Sequence, residues 1–294
     1  MTRDPTQFFG LPSPGLERAD ALLLPLPVEK TVSYGTGAHG GPRAILEASL
    51  QVETFDEETL VEFAESPRLH TLPPLATDGG IEDCLARIRD QVKTIRGKFF
   101  LALGGEHTIT YGVVTGVVDD PAEITVVQID AHGDLADKLQ GLHWSHGTVM
   151  RRLWERGCRF VQIGIRSLTR EEYQLTVAGI RITTFFAHHL ESQWAAILET
   201  LRGLEGKVYL TIDVDGLDPS IIPSTGTPQP GGRSWRQTME ILRVLFTESR
   251  CQLIGADVVE FVASPVPPGC DPAAARLAAK LLAWWWKGKF PAVN

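Results

Sequence analysis

From residue 21 onward, short runs that are apolar at nearly every position alternate with longer amphipathic stretches. The runs at residues 21–25, 99–103, 124–129, 160–163, 181–185, 208–212 and 253–256 read as strands. A strand apolar on both sides must be covered on both faces, as in a parallel sheet held between helical layers. The stretches between them read as helices at residues 42–49, 81–95, 108–118, 147–156, 188–201, 234–246 and 272–286, the first opened by Pro42. No Gly/Ser linker, repeat or low-complexity tract interrupts this succession. It predicts an α/β protein, a single three-layer α/β/α domain over residues 1–294 with a mostly parallel central sheet and residues 1–20 as an N-terminal extension.

In open parallel sheets ligands bind beyond the carboxyl ends of the strands, so polar residues directly after an apolar run carry the functional signal. Four clusters stand there: Gly104-Gly-Glu-His107, Asp130-Ala-His-Gly-Asp134, Asp213-Val-Asp215 and Asp257-Val-Val-Glu260. In Asp-x-His-x-Asp, an extended chain turns the two carboxylates and the imidazole to one side, where they can grip a cation. Asp213 and Asp215 repeat the i, i+2 spacing, and two like charges so placed repel unless a cation lies between them.

Together the clusters offer two imidazoles and four carboxylates: His107, Asp130, His132, Asp134, Asp213 and Asp215. Six ligands exceed the four of a structural zinc site, so two ions sharing carboxylates is the natural count. An oxygen-rich set with two nitrogens suits Mn²⁺ or Mg²⁺ over Cu²⁺, and the histidines tip the choice to Mn²⁺. Two such ions about 3.5–4 Å apart can hold one water and lower its pKa enough to leave hydroxide at neutral pH. The reaction class is therefore hydrolysis at an unreactive sp² carbon, without a serine or cysteine nucleophile.

Composition narrows the partners. The chain is 43% hydrophobic and 22% charged with a formal net charge of -8, and its Lys and Arg are scattered, so it offers no broad basic face for nucleic acid. No apolar run approaches a membrane span and Met1 to Gly10 lacks a signal-peptide core, so no membrane association and a cytoplasmic location are expected. Cys84, Cys158, Cys251 and Cys270 are too dispersed for a metal clip or disulfide framework and are expected to be reduced, mostly buried thiols.

The chain resembles the ureohydrolase family, the arginases and agmatinases, over nearly its whole length. The resemblance rests on Ser33-Tyr-Gly-Thr-Gly-Ala-His-Gly-Gly-Pro-Arg-Ala-Ile45, Gly104-Gly-Glu-His107, Asp130-Ala-His-Gly-Asp134, Ser145-His-Gly147, Asp213-Val-Asp-Gly-Leu-Asp-Pro219, Gly226-Thr-Pro228 and Asp257-Val-Val-Glu260, in that order. It implies an arginase-like fold and two Mn²⁺ ions per subunit. His107, Asp130, Asp134 and Asp213 hold one; Asp130, His132, Asp213 and Asp215 hold the other. It also implies that His146 shuttles protons, that Glu260 receives a cationic guanidino substrate, that Thr227 lies near that glutamate, and that the chain forms a homo-oligomer, a trimer or hexamer. Asp134 is then placed to pass the water's proton onward.

Arginases hold the α-amino and α-carboxylate groups of arginine with an Asn and Ser loop. Here residues 135–145 contain no asparagine and include a bulky Trp144, which disfavours arginine. The similarity to agmatinases points to agmatine, cleaved to putrescine and urea as in polyamine biosynthesis. Lys138 departs from the agmatinase pattern: pointing into the pocket it attracts a carboxylate and favours 4-guanidinobutyrate, and pointing to solvent it leaves agmatine the substrate. A reading from another class is a non-catalytic, metal-stabilised scaffold.

Overall fold

Each apolar run can bury both of its faces, and each becomes a strand. The computed structural model describes residues 4–264 and 269–290. Its strands are β1 (Ala21–Leu26), β2 (Phe55–Asp56), β3 (Val61–Glu62), β4 (Leu69–Thr71), β5 (Phe99–Gly104), β6 (Ile124–Ile129), β7 (Arg159–Ile165), β8 (Ile182–Phe186), β9 (Lys207–Asp213) and β10 (Gln252–Val259). Eight of them form one sheet in the order β4-β1-β5-β10-β9-β6-β7-β8, and every adjacent pair is parallel. β2 and β3 form a separate antiparallel pair.

The helices are α1 (Gly41–Ser49), α2 (Ile81–Thr94), α3 (Ile109–Val117), α4 (Val149–Glu155), α5 (Arg170–Ala178), α6 (Leu190–Arg202), α7 (Trp235–Thr247) and α8 (Asp271–Lys289). α1, α6, α7 and α8 pack together on one face of the sheet, and α2, α3 and α4 on the other. Period-two alternation divides the strands between these layers. Leu23, Phe99, Leu101 and Leu103 join the first cluster, while Leu22, Leu24, Phe100 and Ala102 join the second. The three-layer arrangement with a parallel sheet is the one the hydrophobic pattern predicts.

Several elements differ from the sequence reading. β4 has three residues, and β2 and β3 have two each, too short for a periodicity to register. α5 also escapes that reading, although Thr169-Arg-Glu-Glu172 is a capping box: Glu172 N–H donates to Thr169 Oγ1 at 3.2 Å, and Thr169 N–H donates to Glu172 Oε2 at 2.7 Å. β10 runs on to Val259, which places Asp257 inside the strand rather than after it. The helix expected from residue 147 opens with a 3₁₀ turn, His146–Thr148, before α4. Within residues 1–20, Phe8 and Phe9 are buried beside α1, and Phe9 N–H donates to Ser49 Oγ at 2.8 Å. At the other end Trp285 stacks on Phe99 with ring centroids 4.6 Å apart. Cys84 and Cys158 are buried, Cys251 and Cys270 half-buried, and all four are free thiols.

Candidate metal centre and its cavity

β5, β10, β9 and β6 are neighbours at the middle of the sheet, and because they are parallel their carboxyl ends share one edge. After β5 the chain turns at Gly105, where a Cβ atom would lie 2.1 Å from the Val28 carbonyl oxygen, so only glycine lets His107 follow so closely. β6 delivers Asp130, His132 and Asp134. Asp213 ends β9 and Asp215 sits in the 3₁₀ turn Val214–Gly216, while Glu260 directly follows β10. Asp134 and Glu260 both have left-handed backbones, with φ of 52° and 62°. That conformation is strained for non-glycine residues and tends to mark functional positions.

The six residues picked out by spacing lie together. His107 Nδ1 is 3.3 Å from Asp130 Oδ2, 3.0 Å from Asp134 Oδ2 and 3.5 Å from Asp213 Oδ2. His132 Nδ1 is 2.9 Å from Asp215 Oδ2 and 3.8 Å from Asp130 Oδ1. Two groups of possible ligands, His107-Asp130-Asp134 and Asp130-His132-Asp215, thus share Asp130. Asp213 adjoins the first. Five of the six side chains are buried, and His132 is 24% exposed.

Four of the six candidate ligands are aimed by a second contact. His107 Nε2 meets Thr211 Oγ1 at 2.7 Å, which leaves Nδ1 buried with no hydrogen-bond partner. Asp130 accepts from His132 N–H at 2.6 Å and from Gln128 Nε2 at 2.8 Å. Asp213 Oδ1 accepts from Asp215 N–H at 2.9 Å, and Asp215 Oδ1 from Ala131 N–H at 3.1 Å. Thr184, Gln162, Gln128, Thr211 and Asp257 form one polar row across β8, β7, β6, β9 and β10, each paired in register with the next. Gln162 Nε2 donates to Gln128 Oε1 at 2.7 Å and Thr184 Oγ1 to Gln162 Oε1 at 2.7 Å. Asp257 therefore belongs to the support beneath the site, where its Oδ2 accepts from the Tyr209 and Thr110 hydroxyls.

The electrostatics fit a pair of cations. Burial and the neighbouring Asp130 push the Asp134 carboxyl up to about 7, and burial with Asp215 and Asp130 pushes Asp213 well above the carboxylate range. Burial opposes charge on His107 and His132, yet the surrounding carboxylates raise both, His132 to about 9. Protons thus do part of the work that positive ions do when such a cluster is filled. The Nδ1 of His107, turned toward three carboxylates while its other nitrogen is engaged by Thr211, is the second sign that the set suits divalent metal.

A cavity of about 400 Å³ opens on the cluster. His146, Thr227 and Glu260 line it together with His107, His132, Asp134, Asp213 and Asp215, while Asp130 is fully buried among those residues. Burial raises the Glu260 carboxyl to about 8 against the His107 N–H that donates to its Oε1 at 2.6 Å. Burial lowers His146, whose Nε2 and Nδ1 lie 3.3 Å from the Ser33 and Ser145 hydroxyls.

Two glutamates were not singled out by sequence reasoning. Glu106 is wholly buried and accepts from the backbones of Lys30 and Thr31, which fixes the loop leading to Ser33. Glu172 lines the cavity and accepts from Leu135 N–H at 2.9 Å; the capping box in its sequence was the available signal. Lys138 lines the mouth and is exposed, with no ion pair among the described residues. Trp144 faces elsewhere: it packs edge-on against Tyr111, so its bulk is not a wall of the cavity and the size argument against arginine drawn from it falls. His143, close to His146 in sequence, meets the buried Arg152 at 2.7 Å.

Among the described residues no helix is long and apolar enough to cross a membrane. The arginase-family model matches residues 19–285. N(1)-aminopropylagmatine ureohydrolase of Synechocystis sp. is 38% identical over 91% of this chain and 89% of its own length. The agmatinase of Pyrococcus horikoshii is 33% identical over 85% of this chain and 86% of its own. Among solved structures, the agmatine ureohydrolase of Thermoplasma volcanium superposes with a TM-score of 0.83 at 26% identity, covering 93% of this chain and 92% of that one. With the family matched along almost its whole length, the chain belongs to the arginase family of ureohydrolases.

Proposed function

We propose that the protein is a binuclear manganese ureohydrolase that cleaves agmatine or its aminopropyl derivative to urea and an amine. The observation that carries this reading is the convergence of His107, Asp130, His132, Asp134, Asp213 and Asp215 into one cluster, on which the cavity lined by Glu260 opens. When bound, two Mn²⁺ ions supply a water activated at neutral pH and a positive field for developing negative charge. His107, Asp130, Asp134 and Asp213 would hold one, and Asp130, His132, Asp213 and Asp215 the other.

The remaining chemistry belongs to the chain. Glu260 Oε1 is already engaged by His107 N–H, so Oε2 is the atom that accepts a guanidinium N–H and orients the central carbon. Asp134 receives the water's proton, and the leaving amine gains one. His146, half-buried between two serine hydroxyls, carries protons between the cavity and solvent. In balance, one C–O bond forms, one C–N bond breaks and a water is consumed. Val32, Leu139 and Leu168 offer apolar surface to a methylene chain, with Thr227 beside Glu260.

The names of the relatives support an aminopropyl-extended agmatine as fully as agmatine itself. Lys138 on the cavity wall favours 4-guanidinobutyrate as a second reading. Urea release with Mn²⁺ on agmatine, N(1)-aminopropylagmatine, 4-guanidinobutyrate and arginine tests the choice. Either of the first two is expected to lead; leadership by guanidinobutyrate transfers the assignment to Lys138, and no urea from any, with metal bound, leaves only a scaffold.

A further inference from the structure

Behind the ligands, away from the cavity, Arg233 is among the largest fully buried side chains of the protein. Among the described residues it forms no ion pair. Its Nη1 donates to the Ile163 carbonyl oxygen, and Nε and Nη2 have no hydrogen-bond partner. The guanidinium occupies a slot that glycines leave open. A Cβ on Gly164 would lie 2.0 Å from Nη1, and one on Gly216 would lie 2.5 Å from Nη2 and 2.8 Å from Asp130 N. Gly216 closes the turn that carries Asp215, so the cation sits directly behind the backbone of both acids.

An unpaired buried cation is costly unless fixed charges of opposite sign face it. Here those charges are Asp130 and Asp215, which oppose the effects of burial and of nearby Arg166. The guanidinium is pushed down to about 9 and so stays charged at neutral pH. Arg166 also turns to carbonyl groups: Nη2 donates to Asp215 O at 2.6 Å and Gln229 O at 2.8 Å, and Nη1 to Gly164 O at 3.0 Å. Neither arginine consumes a ligand oxygen.

We propose that Arg233 is a positioning residue that serves as the resident counter-cation of the ligand cluster, holding the Asp130 and Asp215 backbones in place before metal arrives. The inference rests on the ligand set proposed above. It has a distinctive consequence, because a charge that steadies the metal-free cluster repels the ions that fill it from the front. Arg233 thus weakens metal binding while keeping the empty site folded.

The test compares wild type, Arg233→Met and Arg233→Lys, each as stripped and as Mn²⁺-loaded full-length protein. Melting temperatures and Mn²⁺ affinity by titration calorimetry are the readouts. Arg233→Met is expected to lose more melting temperature when stripped than when loaded and to bind Mn²⁺ about tenfold more tightly. Arg233→Lys is expected to keep most of the wild-type gap between the two forms. Equal losses in both forms with unchanged or weaker Mn²⁺ affinity overturn the proposal, as does failure of both variants to fold even with Mn²⁺. A wild type that binds no Mn²⁺ overturns the ligand set itself, a different result from a wild type that binds normally beside an indifferent Arg233→Met.

Discussion

Thr211→Val isolates the hydroxyl that aims a proposed metal ligand. Thr211 lies on β9, fully buried, with Oγ1 2.7 Å from His107 Nε2. If Nδ1 faces the metal, Nε2 carries the proton and donates it to this oxygen. Valine keeps the shape and removes the acceptor, so a buried N–H loses its partner at about 1–3 kcal/mol. At 1.4 kcal/mol per decade that corresponds to roughly 5- to 150-fold, matching the ~10–100-fold in metal affinity typical when a ligand's outer partner is lost. The loss is felt in binding, because the stripped imidazole can rotate to find another partner, whereas the loaded one must keep Nδ1 toward Asp130, Asp134 and Asp213 with its N–H unpaired. Mn²⁺ titration of stripped protein gives the affinity, and circular dichroism verifies that the fold persists. A folded Thr211→Val with wild-type Mn²⁺ affinity would refute the assignment of Nδ1 as ligand.

Three further outcomes are expected. His132→Ala removes an imidazole shared with Asp215 and Asp130 and should leave a folded protein with one Mn²⁺ and almost no urea release; full activity with a single metal, measured by elemental analysis and urea assay, excludes paired-ion chemistry. Arg152, 3% exposed, donates to Asp137 carbonyl and carboxylate oxygens at 3.1 Å and meets His143, so Arg152→Met should loosen the cavity loop and raise KM several-fold with kcat little changed. Lys280 is buried 2.8 Å from buried Asp56, and despite burial its partners keep Asp56 below and Lys280 above their ordinary ranges. Lys280→Met should therefore cost about 3 kcal/mol near neutral pH. The Asp56 share of that stability is present above its unfolded pKa and lost as pH falls through the depressed folded value, so the gap to wild type in urea unfolding should narrow below about pH 4; a constant gap contradicts the ion-pair account.

The fold was legible where a signal is local. Doubly apolar runs such as Leu22-Leu-Leu24 and Val126-Val127 mark buried parallel strands, because nothing else in a soluble domain covers both faces. The clustering of His107, Asp130, His132, Asp134, Asp213 and Asp215 was legible because each follows such a run, and parallel strands align their ends. What escaped depends on neighbours distant in sequence. Gln128 and Gln162 interrupt apolar strands without announcing that they meet, and Thr211 looks like an ordinary strand threonine until β9 lies beside β6. Arg233 follows two glycines as a loop residue would, and only the close approach of Gly164 and Gly216 buries it. Asp257 was legible as acidic but not as support, since the end of β10 was read too early.

The transverse line of Thr184, Gln162, Gln128, Thr211 and Asp257 also bears on how the sheet assembles. Hydrophobic side chains tolerate sliding by two residues, since valine packs on valine in either alignment. Buried amides and carboxyls do not, for each displaced one forfeits its match at about 1–3 kcal/mol. The five strands are thus keyed to a single vernier setting, and that setting is the one that brings the acids above it to the same height.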